Sequence, residues 1–342
     1  MTAPVGAEPG GPARPGESGV DQTAVAGAGP TTTVSIVIVT YNSVEYIERC
    51  LDSIRACTER YSREVLVLDN ASADGTVERA RRVGGCRVLV SPANLGFARG
   101  CNAAAQLARG RYVLLVNPDA VLFPDAIDAV VDFALARPDA GPIGGRTLRP
   151  DGSVDPRSCW GRQTLWSTLC FATGLSTVFH NSRLFDPESL GSWQRDSIRD
   201  VGTVTGYFLL LRRDRWLQLG GMDPTFFMYG DDVDFSERAR RLGFRPMITP
   251  AALSEHVAGA SSVDGDRSVM LLRGRLTLMT RQWSRQRAAV GHLMLRFGVL
   301  LRALAGSPAW RTAWKRRAEW ALPYPTVTAS AQTDAAALLE PA

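Results

Sequence analysis

The apolar positions fall into short continuous runs separated by amphipathic stretches. The first run, "VSIVIVTYN", is β-branched throughout from Val34 to Val39 and predicts a strand buried on both faces. After it, Tyr46, Ile47, Cys50, Leu51 and Ile54 recur at helical spacing. The alternation then repeats. "REVLVLDN" predicts a strand, "SADGTVERARRV" a helix capped by Ser72 or Asp74, and "CRVLVSP" a third strand. "GFARGCNAAAQLARG" predicts a helix closed by Gly110, "RYVLLVNPD" a fourth strand, and "PDAIDAVVDFALARP" a helix between Pro124 and Pro138. Strand–helix alternation with short loops is the pattern of an α/β fold, a mostly parallel central sheet flanked by helices. Beyond Arg149 the pattern loosens, and residues 150–200 read as a substrate-shaping insertion. "VGTVTGYFLLLRR" restores a strand, followed by the helices "DRWLQLGG" and "DFSERARRLG" and the strand "FRPMITP", which leads into "SEHVAGASS".

The two ends differ from this body. Residues 1–33 are Gly, Pro, Ala, Thr and Ser without an apolar core and read as a disordered tail; residues 323–342 read as a second one. Between Arg267 and Arg317 there are twelve Arg or Lys and no acid, so the remainder carries a net −7 against the whole chain's +5. Leu271, Leu272, Leu276, Leu278, Met279 and Trp283, then Leu293, Leu295, Phe297, Leu300 and Leu301, interleave with these arginines as basic amphipathic helices. Such helices suit an anionic membrane surface, or else pack on the body and show arginine to solvent. No apolar run is long enough to span a membrane and no signal peptide is visible, so a cytoplasmic protein is expected. The six cysteines show no CxxC pair and read as reduced thiols.

Polar clusters close three of the strands: Thr40-Tyr41-Asn42, Asp69-Asn70 and Asn117-Pro118-Asp119. In open α/β sheets, ligands bind off the carboxyl ends of strands. No GxGxxG follows the first strand and no P-loop is present, which argues against a nicotinamide enzyme. Asp119, fixed behind an apolar strand, suits a hard cation such as Mg2+ or Mn2+ bridging to phosphates, or an ordinary helix cap. His256, among small residues, suits completion of such a site or no role at all. "MYGDDVDFSERARRLG" sets Asp231 and Asp232 beneath Phe226, Phe227, Met228 and Tyr229. Helix capping accounts for one aspartate; a pair at the edge of an apolar pocket suits a general base. Arg99, in "NLGFARGCN", suits a diphosphate.

Taken in order, "VSIVIVTYN", "VLVLDNASADGT", "NLGFARGCN", "LLVNPDA", "GYFLLLRR", "GGMDPTFFMYGDDVDFSERARRLG" and "EHVAGASS" resemble the inverting family 2 glycosyltransferases of the GT-A fold, over roughly Val34 to Ser262. Within the family they look most like the bacterial rhamnosyltransferases that build cell-wall linkers and polysaccharides on lipid carriers. The resemblance implies a catalytic domain over 34–262 and basic helices over 263–322. It implies that Thr40, Tyr41, Asn42, Asp69 and Asp74 line the nucleoside pocket and that Asn94 and Arg99 lie near the diphosphate and sugar. Asn117-Pro118-Asp119 takes the place of the family's DxD motif, with Asn117 replacing its first carboxylate, Asp119 the metal ligand and His256 closing the metal site. Asp232 matches the catalytic base, and Asp231 stands where Glu is usual.

The activity so implied is transfer of a sugar, L-rhamnose from a thymidine-diphosphate donor, to a hydroxyl of a glycan or polyprenyl-diphosphate-linked acceptor. The cofactor is Mg2+ or Mn2+ and the setting is the inner face of the membrane; nucleic acid is not an expected partner. Galactofuranosyl, glucosyl or N-acetylglucosaminyl transfer, and a non-catalytic nucleotide-sugar-binding relative, are the competing readings.

Overall fold

The structure, a computed structural model, describes residues 32–256 and 264–327. The N-terminal tail up to residue 31, the stretch 257–263 and the C-terminal tail from residue 328 lie outside the described residues. The chain opens with β1 (Val34–Thr40), α1 (Ile47–Ala56), β2 (Arg63–Asp69), α2 (Thr76–Val83), β3 (Arg87–Val90), α3 (Phe97–Gln106) and β4 (Tyr112–Val116). These strands pair in parallel in the order β3-β2-β1-β4. All seven residues of β1 are buried because both faces are covered. Val34, Ile36 and Ile38 pack with Ile47, Cys50 and Ile54 of α1; Val37 and Val39 pack with Ala98, Cys101 and Ala105 of α3. The alternation of strand side chains thus divides the core into two layers.

The second half is mixed. After β5 (Ala120–Leu122), α4 (Ala126–Ala136) and β6 (Ala140–Leu148) come the short β7 (Cys159–Trp160), α5 (Leu165–Thr173), α6 (Leu175–Val178), β8 (Arg199–Asp200) and β9 (Thr203–Val204). Then follow β10 (Phe208–Arg212), α7 (Arg213–Leu219), α8 (Asp231–Arg241) and β11 (Arg245–His256). β10 enters antiparallel between β4 and β6, and β11 runs parallel to β6. β5 then pairs antiparallel with the end of β11, setting Ala120 opposite His256.

Several boundaries differ from the sequence expectation, for local reasons. α3 stops at Gln106, and Gly110 instead sits where a Cβ would collide with the backbone of Ser35. α2 starts after its N-cap, the left-handed Gly75, so neither Ser72 nor Asp74 is the N-cap, although Asp74 accepts from the first helical amide, that of Thr76. α8 begins three residues early, at Asp231, after Gly230 at φ 94°. β6, "AGPIGGRTL", shows no apolar alternation because its glycines let β11 and β10 approach closely. β11 continues through His256, which is its last residue rather than a loop residue.

The C-terminal helices are α9 (Asp264–Gln282), α10 (Arg285–Leu304), α11 (Pro308–Lys315) and α12 (Arg317–Trp320). Of the two expectations for them, packing on the body is met for α9. α9 packs on the body: Leu278 joins Phe226 and Tyr324 in one cluster, and Gln282 donates to Asp234 at 3.0 Å. Tyr324, assigned from the sequence to a loose tail, is therefore buried, its amide donating to the Thr277 hydroxyl at 2.9 Å. α10 buries Ala288, Gly291, Leu295, Gly298 and Val299 but exposes Val290, Leu293, Phe297, Leu301 and Leu304. Among the described residues no helix is long and apolar enough to cross a membrane.

Candidate active site

Two acidic centres flank one dipeptide, Gly206-Tyr207, at the start of β10. On one side the turn Asn117-Pro118-Asp119-Ala120 closes with the Ala120 amide donating to the Asn117 carbonyl at 3.1 Å, and the Asn117 amide donates to the Tyr207 carbonyl at 3.0 Å. Because β5 pairs with β11 at Ala120, Asp119 arrives beside His256: Oδ1 lies 3.2 Å from Nε2. The two atoms are close without being aligned for a hydrogen bond. Both are buried, and among the described residues neither has a hydrogen-bond partner. The Tyr207 ring stacks on the His256 ring, centroids 4.2 Å apart and planes within 7°. Its hydroxyl donates to Thr147 at 2.5 Å, which fixes the ring. A buried carboxylate oxygen and imidazole nitrogen left without hydrogen bonds, side by side, are two donors of the kind a divalent cation takes; among the described residues no third His, Cys, Asp or Glu joins them.

On the other side stands the aspartate pair of α8, Asp231 and Asp232. Tyr229 and Gly230 both take left-handed backbone, φ 64° and 94°, a costly conformation for a tyrosine that turns the chain sharply into the helix. The turn is braced from two directions. The Phe97 amide donates to the Phe227 carbonyl at 2.9 Å, and Gly96 is required because a Cβ there would strike that same carbonyl. From the far side, Gly274 of α9 lies so close to the Tyr229 carbonyl that a side chain would not fit. The pair then divides. Asp231 is buried, near Cys101 and Tyr324; burial first, and the Asp232 charge second, push its carboxyl well above the usual range. Asp232 is half-buried. Burial raises it to about 6, against amide hydrogen bonds from Val233 and Gly206 that favour the ionised form. Gly206 thus touches the carboxylate while Tyr207 touches the imidazole.

The remaining candidates surround the carboxyl ends of β1 and β2. Asp69 accepts from the Thr40 hydroxyl at 2.9 Å and from the Ser72 amide at 2.8 Å; Asp74 accepts from the Val44 and Thr76 amides at 3.0 Å each. Burial would raise Asp74, but the bonds from Thr76 and Val44 hold it below the usual carboxylate range. Both aspartates therefore knit the loop, which leaves Tyr41 exposed and holds Asn42 at φ 49° through the Ser72 hydroxyl and the Ala73 amide. Asn94 accepts from the Gly96 amide at 2.9 Å, and Arg99 lies partly buried on α3. Asn102 clamps this helix to the other loop, bonding both the amide and the carbonyl of Met222 at 2.8 and 2.7 Å.

Sequence reasoning gave no individual role to four participants. Tyr207 and Gly206 lie inside a quoted motif but carry no charge to flag them. Asn70 holds Leu95 and Gly96 through its side chain. Asp155, wholly buried and bound by Arg157 at 2.8 Å, lies close enough to feel the His256 charge. Nothing in the sequence sets it apart from the other acids of the irregular insertion, Asp151, Asp186, Glu188, Asp196 and Asp200.

Comparison with known proteins gives the family and the fold. The family model "Glycosyl transferase family 2" matches residues 35–202. The N-acetylglucosaminyl-diphospho-decaprenol L-rhamnosyltransferase of Mycobacterium tuberculosis is 33% identical over 241 residues, 65% of this chain and 75% of that one. The chain belongs to glycosyltransferase family 2. The rhamnosyltransferase WbbL of Escherichia coli is 23% identical over 66% of this chain and 83% of its own. Among solved structures, a mannosyltransferase from Pyrobaculum calidifontis in complex with GDP-mannose and Mn2+ superposes with a TM-score of 0.52 at 20% identity, over 90% of this chain and 86% of that one. The fold is thus that of the GT-A glycosyltransferases, a central sheet flanked by helices, and glycosyl transfer is the activity of the family.

Proposed function

We propose that this glycosyltransferase moves L-rhamnose from thymidine-diphosphate rhamnose, with inversion, to a hydroxyl of a polyprenyl-diphosphate-linked glycan in cell-wall or polysaccharide synthesis. The observation that carries the mechanism is the Gly206-Tyr207 dipeptide, which adjoins Asp232 on one side and the Asp119–His256 pair on the other. The names of the mycobacterial and E. coli relatives support the sugar, and the first also supports the lipid carrier.

Asp232 takes the proton of the acceptor hydroxyl, whose oxygen attacks the anomeric carbon from the face opposite the diphosphate. The bond to the phosphate oxygen breaks with its electron pair, and the configuration inverts in one displacement. A carboxylate raised to about 6 is both ionised at neutral pH and basic enough to share a proton in the transition state. A divalent cation held by Asp119 and His256 would supply the positive charge that steadies the departing diphosphate. Thr40, Tyr41, Asn42, Asp69 and Asp74 shape the nucleoside end, with Asn94, Arg99 and Asn117 beside the sugar and diphosphate. Asp231, buried and rigid, sets the position of the Asp232 backbone. Phe226, wholly buried, and Phe227, partly exposed, form the apolar wall that limits water.

The exposed face of α10 supports membrane association as part of this reading. Val290, Leu293, Phe297, Leu301 and Leu304 form an exposed stripe at spacings of three and four, and Arg285, Arg287 and Arg296 lie exposed on the same helix. That pattern is the kind that lies in an anionic interface and supports a peripheral position at the cytoplasmic face, beside a lipid-linked acceptor. The test is product analysis with thymidine-diphosphate rhamnose and a short-chain N-acetylglucosaminyl diphospholipid. A β-linked donor that yields an α-linked product supports the reading; retained configuration, or transfer from another donor only, overturns it.

A further inference from the structure

A concavity lies along α8, on the face that includes Val233, the residue after Asp232. Val233, Glu237 and Arg241, spaced four apart, form its floor; Arg162, Trp283 and Arg287 close its rim. Its volume is about 320 Å³, at the lower end of the range for small-ligand sites. Its charge balance is uneven. The single carboxylate, Glu237, faces Arg162 and Arg240 at 2.8 Å each and Arg241 at 3.9 Å. Arg287 has no acid partner among the described residues and stacks on Trp283, 5.1 Å from its centroid. Gln163, which also lines the hollow, has its Nε2 buried with no acceptor among the described residues. Burial lowers Arg240 and Glu237 opposes it, with Arg162 adding to the lowering, so one carboxylate is shared among three guanidinium groups. An anion is what this surface lacks.

We propose that this cavity binds the diphosphate of the acceptor, separately from the donor's diphosphate at Asp119 and His256. The assignment rests on the reading of the acceptor as lipid-linked. Three placements carry it. The cavity is lined by Val233, the residue after Asp232, and by Thr203, three residues before Gly206, so a sugar attached to the diphosphate would extend toward the segments that carry Asp232. Its rim is the first turn of α10, and Arg287 stands three residues, about 4.5 Å of helix, before Val290, where the exposed apolar stripe begins. A prenyl chain leaving the phosphates would therefore run directly onto that stripe. Arginine forks and a donating amide are the groups that match phosphate oxygens.

The test uses farnesyl diphosphate as the probe, in EDTA so that no cation-bridged diphosphate forms at Asp119 and His256. Binding is read from tryptophan fluorescence, with Trp283→Phe identifying the reporter. Arg241 and Arg287 are exposed, so the double variant Arg241→Gln/Arg287→Gln should fold as the parent does. Saturable quenching is expected, weakened about tenfold or more in the double variant. Inorganic pyrophosphate should compete, whereas vesicles of phosphatidylglycerol should not. Quenching indifferent to the two arginines, or displaced equally by the vesicles, overturns the assignment. In turnover, the double variant should raise KM for a diphosphate-linked acceptor about tenfold while the donor KM stays within about twofold. Equal loss for an acceptor carried on an uncharged alkyl chain contradicts the proposal. If no acceptor is glycosylated yet the probe binds as stated, the functional reading fails and the site stands; if transfer proceeds and binding ignores both arginines, the reverse holds.

Discussion

At the scale of single residues, the account rests on how burial sorts three adjacent acids. Asp234 is committed to Arg238 at 2.6 Å and to Gln282, Asp231 is sealed inside, and only Asp232 faces the dipeptide shared with the metal-type pair. Asp232→Asn should reduce turnover by about 10²–10⁴-fold while leaving donor affinity intact, measured as kcat beside a donor binding isotherm. The same residue sets an acid limb: kcat/KM should fall as pH drops through about 6, because the base is then protonated. The stability effect has the opposite sense. A carboxyl raised in the folded state binds its proton more tightly there than when unfolded, so ionising it costs stability as pH rises from the ordinary range through about 6. Asp232→Asn should therefore raise Tm at pH 8, by up to about 3 kcal/mol of linked stability, and leave it unchanged near pH 3.5. No Tm difference between the two pH values would show that Asp232 is not raised.

At the scale of elements, the site depends on loops being held against one another. Asn102 is the clearest case, since one side chain satisfies both backbone groups of Met222 across the gap between α3 and the loop before α8. Asn102→Ala should cost roughly 2–4 kcal/mol in urea unfolding, because it orphans a buried amide and carbonyl together. These elements also show what the sequence could and could not reveal. The parallel half, β1 to β4, was legible because buried runs alternate with helical periodicity. β6 was not, because "AGPIGGRTL" uses glycine to admit neighbouring strands and so has no apolar pattern. The acids and histidine of the site were legible as chemistry. Their supports, Gly206, Tyr207, Asn70 and Asp155, were not, since each acts through a contact made only when distant segments meet. Likewise the insertion 150–200 gave no sign of which acid it would bury.

At the scale of the whole molecule, the C-terminal helices divide their labour by face. α9 braces the turn that carries the base, and α10 presents an apolar stripe outward. Leu293→Glu with Phe297→Glu should abolish co-sedimentation with anionic vesicles while leaving Tm and turnover on a water-soluble acceptor within about twofold, because both side chains are exposed. Loss of folding instead would show that the stripe is covered in the native protein. The central claim, that Asp119 with His256 and Asp232 serve one cleft, is tested most directly by a crystal of the protein with Mn2+ and thymidine-diphosphate rhamnose, with data collected at the manganese absorption edge. An anomalous peak about 2.0–2.4 Å from Asp119 Oδ1 and His256 Nε2, with the open face of the anomeric carbon turned toward Asp232, is the predicted result. A peak elsewhere, or a donor sugar lying beyond reach of Asp232, would contradict it.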